Sequence, residues 1–226
     1  MIKVSLITVC YNSEKTIRDT IESVIGQNYP DIEYIIVDGG SQDKTLSIIA
    51  SYSHLIKKII SEEDNGMYDA MNKGISYASS DIIGILNSDD VFADENVVSN
   101  IVEIFIKRKI KVVWGDVAFV DNRNRIRRLY SGDRISRTSF NHGIMPPHPS
   151  VFIKKECYDI FGNFNIKYEI ASDYDLLLRF LNLNNLKYYY FNKVLVKMKI
   201  GGKSNQSIRS IIALNKEIYE IHYSNG

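Results

Sequence analysis

The sequence predicts an α/β fold in which a mostly parallel central sheet is covered by helices on both faces. Two observations carry this prediction. First, strand-like apolar runs alternate with helical patterns through the first hundred residues, and such alternation is typical of strand–helix–strand units. Second, these runs are almost continuously apolar, as expected of strands covered on both faces.

The individual elements follow in chain order. VSLITVCY (4–11) predicts the first strand, and the helix after it places Ile17, Ile21, Val24 and Ile25 on one face. The next helix begins near Asp43, and a third crosses 67–78. Three further strands are predicted by EYIIVDGG (33–40), KKIIS (57–61) and DIIGILN (81–87).

The pattern loosens in the remainder of the chain, where 131–150 is irregular and rich in Ser, Arg, Gly and Pro. Gly115-Asp116 indicates a bulge or a close backbone approach within a strand. The elements predicted here are a helix near 95–108, a strand at 111–120, a hairpin turn at 121–125, helices near 155–160 and at 171–181, a strand pair from KYYYF and KVLVKMKI, a loop at GGKSNQS and a final helix at 206–222.

The composition argues against several classes of protein and against a membrane-spanning segment. The chain of 226 residues is large enough for one substantial domain, and 28 Lys and Arg against 27 Asp and Glu give no sign of nucleic-acid binding. Two cysteines are too few for a disulfide scaffold, so a reducing cytoplasm is expected. No stretch approaches the roughly 18 apolar residues of a membrane span, and the N-terminal apolar run is too short for a signal peptide. Any membrane contact is therefore expected to be peripheral.

Polar residues follow each of the first four predicted strands. They are Tyr11-Asn12, Asp38-Gly39-Gly40, residues 61–64 and residues 87–90. In parallel sheets of this class, ligands bind at the carboxyl ends of the strands. These polar ends are therefore expected to line one crevice.

Several common sites are absent from the sequence. No G-x-x-x-x-G-K-[ST] motif is present, which excludes a P-loop, and the turn after the first strand reads YNSEKT, which argues against a dinucleotide site. No Cys/His spacing suits zinc, and no G-x-S-x-G elbow occurs.

The adjacent carboxylates Asp89 and Asp90 at the end of a buried strand predict a divalent cation. Mg²⁺ or Mn²⁺ is usually held by one or two carboxylates together with substrate phosphates. The alternative for Asp89 is a helix cap, but Asp94 lies closer to the helix near 95.

Asp38 and Tyr11 are candidates for nucleoside contacts. The Asp38 carboxylate could bond a ribose or a base, with the following glycines allowing close backbone approach. The alternative for Asp38 is an Asx-turn, because Asp-Gly is strong turn chemistry. Tyr11 could pack against a base, or be an aromatic residue at the edge of the core.

ASDYDLLLRF predicts a capped helix. Ser172 at the N-cap and Asp175 at the third helical position form nearly a capping box. Asp173 has no capping role in this scheme, so it is a candidate general base for an incoming hydroxyl.

Together these blocks resemble glycosyltransferase family 2, the inverting sugar transferases with a GT-A fold. The resemblance covers about residues 2–204. It is carried by SLITVCYNSEKTIRDTIESVIGQNYPDIEYIIVDGGSQDKT, SEEDNGMYDAMNKGI, GILNSDD, HPSVFIKK and ASDYDLLLRF, in that order.

The resemblance implies a UDP-sugar donor, Mn²⁺ or Mg²⁺, and a single GT-A domain. That domain would comprise a Rossmann-like nucleotide-sugar-binding half (1–90), an acceptor and catalytic half (91–204) and a C-terminal helix (205–226). Asp173 matches the catalytic base, and the metal is assigned to Asp89 with its neighbour Asp90. The residues assigned to the donor are Val9, Tyr11, Asp38, Asp64, Asn87, Ser88, Asp89, His148 and Lys203.

His148 and Lys203 each keep an alternative. His148 fits a position near the donor phosphates or the acceptor, or it is an ordinary loop histidine. Lys203 lies in a segment, 201–204, that either closes over the diphosphate or forms a plain turn.

Three positions depart from the family pattern. Asn87 stands where the first Asp of D-x-D is usual, Met71 stands in place of an arginine, and Ser172 in place of an acid before the base. These changes leave open the strength of metal dependence and the nucleobase contact. Asn87 and Ser172 also motivate an alternative, a catalytically silent sugar-nucleotide-binding subunit of a polysaccharide complex. A nucleotidyltransferase would need a glycine- and basic-rich loop where YNSEKT stands.

Within the family, YDAMNKG and NSDD resemble bacterial enzymes that build surface polysaccharides on lipid-diphosphate carriers. The resemblance therefore implies transfer of a hexose or N-acetylhexosamine to an undecaprenyl-diphosphate-linked acceptor in O-antigen or capsule assembly, forming a β-glycoside at the cytoplasmic face of the inner membrane. A basic run between 123 and 137 either contacts an acceptor diphosphate or an anionic membrane, or is a solvated face.

Overall fold

The computed structural model describes residues 1–200 and 208–225. The described helices are α1 (Ile17–Ile25), α2 (Thr45–Ser51), α3 (Met67–Tyr77), α4 (Val97–Lys107), α5 (Lys155–Phe161), α6 (Ser172–Leu177) and α7 (Ile208–Asn225). The strands are β1 (Val4–Cys10), β2 (Ile32–Asp38), β3 (Lys58–Ser61), β4 (Ile82–Ile85), β5 (Asp90–Phe92), β6 (Val112–Val120), β7 (Ile126–Tyr130), β8 (Phe152–Lys154) and β9 (Tyr188–Lys199).

The described strands form one mixed sheet. Its order is β3-β2-β1-β4-β8-β6-β9-β5, with β7 added to β6. β3, β2, β1 and β4 run parallel, as the alternation of strands and helices predicts. The second half is mixed, because β8 joins β4 and β6 antiparallel while β9 joins β6 in parallel. The predicted α/β fold class is confirmed.

The strand register brings segments that are distant in sequence together at the ends of neighbouring strands. Cys10 pairs with Asp38, and Asp38 pairs with Ser61. β5 pairs antiparallel with β9, so that Asp90 lies opposite Met198. The carboxyl ends of β1, β2 and β3 therefore lie side by side, and the start of β5 lies beside the end of β9.

Two hydrophobic clusters cover the two faces of the sheet. Successive residues of β1 alternate between them, with Ile7 in the cluster beneath α3 and α6, and Leu6 in the cluster beneath α1 and α4. This alternation follows from the two-residue period of a strand. Both clusters contain residues from before and after position 90, in keeping with one domain, whereas the boundaries at 90 and 204 stay predictions.

Helix α3 packs unusually close to the sheet. A Cβ at Gly74 would overlap Cγ2 of Ile7, so the helix could not sit at this depth with any larger residue at that position. Met71 and Ile75 on the same face of α3 are buried against the sheet. The depth of α3 fixes where its first turn lies relative to the strand ends.

The strand pair predicted near the C-terminal end of the chain is wrong. KYYYF and KVLVKMKI form a single strand, β9, rather than a pair. β9 runs along β6 with register shifts around Gly115, where a Cβ would lie 2.5 Å from Leu195 Cγ. The irregularity is therefore absorbed by a bulge, with no turn at Asn192 and Lys193. The close approach predicted at Gly115 is confirmed, and so is the turn at 121–125, where the Asn124 N–H donates to the Asp121 carbonyl over 2.8 Å.

None of the described helices is both long enough and apolar enough to cross a membrane.

Glu33 is a buried carboxylate at the amino end of the sheet, opposite the strand ends discussed above. It accepts hydrogen bonds from Lys3 Nζ (3.1 Å), the Ser79 N–H (2.8 Å) and the Ser79 hydroxyl (2.7 Å). Burial alone would raise the pKa of this carboxyl, but hydrogen bonds from Ser5, Ser79 and Lys3 outweigh burial and lower the pKa to about 2.

We expect Glu33→Gln to destabilise the fold at pH 7 by about 2 kcal/mol, because it removes charge-assisted bonds from a buried acceptor. A lowered folded-state pKa stabilises the fold fully above the unfolded value and loses that contribution as pH falls. Urea unfolding from pH 7 downwards should therefore show the gap between variant and wild type narrowing below about pH 4.5. Glu103→Gln, which breaks only an exposed pair with Lys107, is the control. A gap independent of pH would contradict the assignment.

Candidate active site

A cavity of about 940 Å³ opens at the carboxyl ends of the parallel strands. Its volume is within the range of pockets that bind small ligands. The residues predicted to contact a donor that line this cavity are Val9, Tyr11, Asp64, Asn87, Ser88 and Asp89. The structure thus brings the ends of β1, β3 and β4 together as the strand-end rule predicts.

Hydrogen bonds connect the loop after β1 to the loop after β2. Asn12 has a positive φ of 49°, and its Oδ1 accepts from the Gln42 N–H over 2.9 Å. The Ser13 N–H donates to Thr45 Oγ1 over 2.7 Å, and its hydroxyl lies 2.8 Å from that of Ser88. These bonds fix the wall of the cavity before any ligand arrives.

Asp38 lies beneath the cavity rather than on its surface. The side chain is fully buried, and one carboxylate oxygen accepts from the Gly40 N–H (3.2 Å), the Ser41 N–H (3.0 Å) and the Ser61 hydroxyl (2.8 Å). Two of these bonds form the Asx-turn that was the alternative for this residue. Asp38 is absent from the cavity lining, so a nucleoside contact by its carboxylate stays a prediction.

Asp64 reaches the cavity because Gly39 leaves room for it. A Cβ at Gly39 would overlap Asp64 Oδ2. The other carboxylate oxygen of Asp64 accepts from the Gly66 N–H over 2.9 Å, just before α3 begins. A larger residue at position 39 would therefore displace the Asp64 carboxylate from its present place.

The residues around Asp89 fit a hard divalent cation. Asp89 and Asn87 line the cavity, and the buried oxygens Asn87 Oδ1 and Asp90 Oδ1 lack a hydrogen-bond partner among the described residues. Burial, followed by the nearby Asp89 charge, raises the pKa of Asp90 well above its usual value. Unpaired oxygens beside a second carboxylate are costly unless a cation or proton compensates them.

The chain alone offers few ligands to such a cation. Among the described residues, no three His, Cys, Asp or Glu side chains converge in a way that could hold a metal. Asp90 is buried and does not line the cavity, which leaves Asp89, partly buried, as the carboxylate of this pair that faces the cavity. This set suits Mg²⁺ or Mn²⁺, which take remaining ligands from water and substrate phosphates.

Asp173 lies in a second group of residues, at the start of α6. Its Oδ1 accepts from the Tyr174 N–H over 2.8 Å and from the Tyr68 hydroxyl over 3.2 Å. None of the described residues donates a hydrogen bond to Oδ2. Burial raises the pKa of Asp173, while the His148 charge and the bonds from Tyr174 and Tyr68 oppose that shift. Asp173 is thus a half-buried carboxylate. One of its oxygens accepts hydrogen bonds, and burial raises its pKa.

His148 is placed beside Asp173 rather than in the cavity. It begins a short 3-10 turn and meets the ring of Phe164 edge-on, with centroids 5.5 Å apart. Burial lowers the pKa of His148, although the Asp173 charge opposes the shift. His148 does not line the cavity, and its role stays a prediction.

Helix α3 joins the two groups. Met67 and Ala70 line the cavity, while Tyr68, between them in sequence, bonds Asp173 and stacks on Phe164 with ring centroids 5.4 Å apart. Asn72, one turn further, exchanges two hydrogen bonds with the Phe164 backbone. One rigid helix thus carries contacts to the cavity and to the candidate base.

The predicted cap of α6 is wrong. Ala171 takes the N-cap position, and the Ser172 hydroxyl donates to the Asn165 carbonyl over 2.9 Å. Asp175 instead pairs with Arg179 over 2.9 Å. Asp173, for which no capping role was expected, accepts from a backbone N–H in the first turn. The predicted capping box is therefore absent, and the side chains of Ser172 and Asp175 bond other groups.

Sequence reasoning missed part of the cavity. Asp43 and Lys15 could have been found by extending the strand-end rule to the helices that follow. Asn122, Met198, Lys199 and Ile200 could not, because they reach the cavity through the pairing of β9 with β5 and β6. Lys203, predicted to contact the donor, lies outside the described residues.

Comparison with known proteins identifies the family. The model of glycosyl transferase family 2 matches residues 5–166. The chain is 32% identical over 179 residues to an uncharacterized glycosyltransferase of Mycobacterium tuberculosis, covering 78% of this chain and 68% of that protein. It is 26% identical over 206 residues to a PGL/p-HBAD biosynthesis glycosyltransferase of Mycobacterium bovis, covering 89% of this chain and 78% of that protein.

Solved structures share the fold. S. aureus TarS 1–349 in complex with UDP-GlcNAc superposes with a TM-score of 0.73 at 18% identity, covering 99% of this chain and 65% of that one. A longer TarS chain is covered over only 44% of its length. The mannosyltransferase PcManGT of Pyrobaculum calidifontis, in complex with GDP-Man and Mn²⁺, gives a TM-score of 0.70 at 15% identity, with 99% and 71% coverage.

The chain therefore belongs to glycosyltransferase family 2, and its fold is that of the GT-A glycosyltransferases. The predicted family and fold class are confirmed. The matched region, 5–166, contains the cavity residues at the ends of β1, β3 and β4, whereas Met198, Lys199, Ile200 and Asp173 lie beyond it.

We expect Gly39→Ala to lower the free energy of unfolding by about 1–3 kcal/mol, because the new methyl group displaces Asp64. In an Asp64→Ala background the same change should cost much less, since the obstructing carboxylate is gone. Thermal denaturation of the two single variants and the double variant measures this coupling. Strictly additive losses would contradict the contact.

Proposed function

We propose that this chain transfers a hexose or N-acetylhexosamine from a UDP-sugar to an acceptor hydroxyl, with inversion at the anomeric carbon. The donor would occupy the cavity at the strand ends, and Asp173 would act as the general base. The bases for the donor class are the family membership and the UDP-GlcNAc complex of a protein with the same fold.

The arrangement of Asp173 carries this proposal. One carboxylate oxygen is held by Tyr68 and by the backbone of Tyr174, while no described residue donates to the other. Burial raises the pKa of the group, and a general base works best when its pKa approaches the working pH. A fixed carboxylate with one unoccupied oxygen is suited to accept a proton from a bound hydroxyl.

We propose a single displacement at the anomeric carbon. Oδ2 of Asp173 accepts the proton of the acceptor hydroxyl as the hydroxyl oxygen forms a bond to the anomeric carbon. The bond from that carbon to the diphosphate breaks on the opposite face, and UDP leaves with the electron pair. A single displacement converts an α-linked donor into a β-glycoside.

A divalent cation fits the donor half of the cavity. Asp89 would hold it, with the carbonyl of Asn87 and the buried carboxylate of Asp90 as further oxygens, and the mannosyltransferase of the same fold was solved with Mn²⁺. When bound, such an ion supplies positive charge that stabilises the leaving diphosphate. Asn87 contributes no negative charge, so the site should bind the ion chiefly together with the nucleotide.

For the acceptor, we propose a sugar linked to undecaprenyl diphosphate, used in bacterial O-antigen or capsule assembly on the cytoplasmic side of the inner membrane. The resemblance of YDAMNKG and NSDD to surface-polysaccharide enzymes supports this class. A relative named for PGL/p-HBAD biosynthesis supports a surface glycoconjugate in more general terms.

The basic run offers limited support for an acceptor diphosphate or membrane contact. Arg125 and Arg127 both pair with Asp121, over 2.9 and 2.8 Å. Arg137 donates to the Leu181 carbonyl over 2.9 Å and so holds the chain beyond α6. These three side chains have partners within the protein, which favours the solvated-face alternative for this stretch.

A catalytically silent sugar-nucleotide-binding subunit is the second candidate. Asn87 in the metal motif and Ser172 before the base favour it. The two candidates differ in turnover, since both would bind UDP in the cavity.

The test of the proposed function is release of UDP from UDP-glucose, UDP-galactose and their N-acetylated forms, with Mn²⁺ and a lipid-diphosphate sugar present. We expect turnover with one of these donors and none with GDP-mannose. Calorimetric binding of UDP without turnover would instead identify the silent subunit. If UDP fails to bind, both candidates fail.

We expect Asp173→Asn to lower kcat by about 10²–10⁴-fold, because it keeps the shape of the base but cannot accept the proton. The dissociation constant for UDP should be unchanged, since Asp173 lies outside the cavity lining. Asp175→Asn, two residues further along α6, is the matched control for local stability. Near wild-type turnover of Asp173→Asn would remove this residue from the mechanism.

We expect Asp89→Asn to weaken UDP binding about tenfold in Mn²⁺ and to have little effect in EDTA, because the carboxylate acts through the cation. Isothermal titration of UDP into wild type and variant, with and without Mn²⁺, measures this dependence. Equal affinities with and without metal in wild-type protein would argue against the metal role.

A further inference from the structure

The side chain of Glu217, on the C-terminal helix α7, holds the backbone just before α6. Its carboxylate accepts three consecutive N–H groups, from Glu169 (3.0 Å), Ile170 (3.0 Å) and Ala171 (2.8 Å). Hydrogen bonds from backbone N–H groups to a carboxylate are stronger than neutral ones. This arrangement replaces the local cap that Ser172 does not provide.

The same backbone is held from its other side by Tyr68. The Tyr68 hydroxyl lies 2.7 Å from the Ile170 carbonyl and 3.2 Å from Asp173 Oδ1. Glu217 therefore binds the N–H groups, and Tyr68 the carbonyl, of the segment that immediately precedes the base. Moving this segment would move Asp173 away from the hydroxyl that fixes its Oδ1.

Helix α7 is itself fixed near this segment. Ile221, one turn after Glu217, is fully buried in the cluster that contains Tyr174 of α6. His222 Nε2 lies 2.8 Å from the Tyr174 hydroxyl. α7 thus contacts the chain on both sides of Asp173 in sequence. It binds the backbone of residues 169–171, which precede α6, and it meets Tyr174 within α6.

We propose that Glu217 is a positioning residue, which holds Asp173 in its reactive orientation through the backbone of residues 169–171. This inference rests on the proposed function, because it takes Asp173 as the general base. Glu217 touches neither the cavity nor the carboxylate of Asp173. It also lies outside the region matched by the family model, 5–166.

The test compares Glu217→Gln and Glu217→Ala with Glu220→Gln, a control on the same helix. Among the residues that the structure describes, the Glu220 carboxylate meets only Lys167 and Lys216, at 3.8 and 3.9 Å. We expect Glu217→Ala to lower kcat by roughly 10- to 100-fold, the scale of a displacement of about 1 Å. Glu217→Gln, which keeps one acceptor oxygen, should retain more activity than Glu217→Ala. The donor KM and the dissociation constant for UDP should stay within about twofold of wild type for all three variants.

Hydrogen exchange provides a readout that does not depend on turnover. In both Glu217 variants the amides of residues 169–171 should exchange faster, while those of β1 and β2 keep wild-type protection. Unchanged kcat in Glu217→Ala would overturn the inference. A parallel loss of kcat, UDP affinity and protection throughout the chain in both variants would also overturn it, by showing a general structural role.

The same experiment separates failure of this inference from failure of the proposed function. If wild-type protein turns over no donor, the proposed function fails. In that case, exchange at residues 169–171 decides whether Glu217 holds the segment, and unchanged rates in Glu217→Gln and Glu217→Ala overturn it.

Discussion

The close packing of α3 on β1 is the contact on which the site depends. Gly74 allows α3 to approach Ile7 at a distance that no side chain would permit. From that depth, the first turn of α3 places Met67 against the cavity and Tyr68 against Asp173. Well-packed interiors transmit small displacements rather than absorbing them. A shift of this one helix would therefore alter the cavity and the candidate base together.

The cavity combines a rigid frame with unbalanced charge. Backbone and hydroxyl bonds link the loop at Asn12 and Ser13 to the loop at Gln42 and Thr45, so the walls need little rearrangement. At Asn87, which lines the cavity, and at Asp90 behind it, buried side-chain oxygens lack partners among the described residues. Burying such groups costs free energy unless a ligand or cation pairs with them. The hydrogen-bonded loops give the site its shape, and the unpaired oxygens favour binding of a positively charged group.

The candidate base is assembled from three separate parts of the chain. α6 supplies Asp173, α3 supplies the hydroxyl of Tyr68, and α7 supplies the carboxylate of Glu217. Local capping by Ser172 and Asp175 would have made α6 independent of these partners. Instead, both residues bond elsewhere, and the orientation of the first turn follows tertiary packing. The orientation of Asp173 is thus set by contacts from both halves of the chain.

The sequence by itself determined the family, the parallel strands β1 to β4 and the polar strand ends that form the cavity. These features are local, because apolar periodicity and strand-end chemistry are set by residues close together in the chain. Only the tertiary structure decided that Asp38 also binds the Ser61 hydroxyl, that β9 is one strand and that Glu217 holds the segment before Asp173. Each of these depends on which donor, acceptor or strand lies nearby in space. A short sequence pattern does not contain that information, since the partners are brought in by pairing and packing across the whole chain.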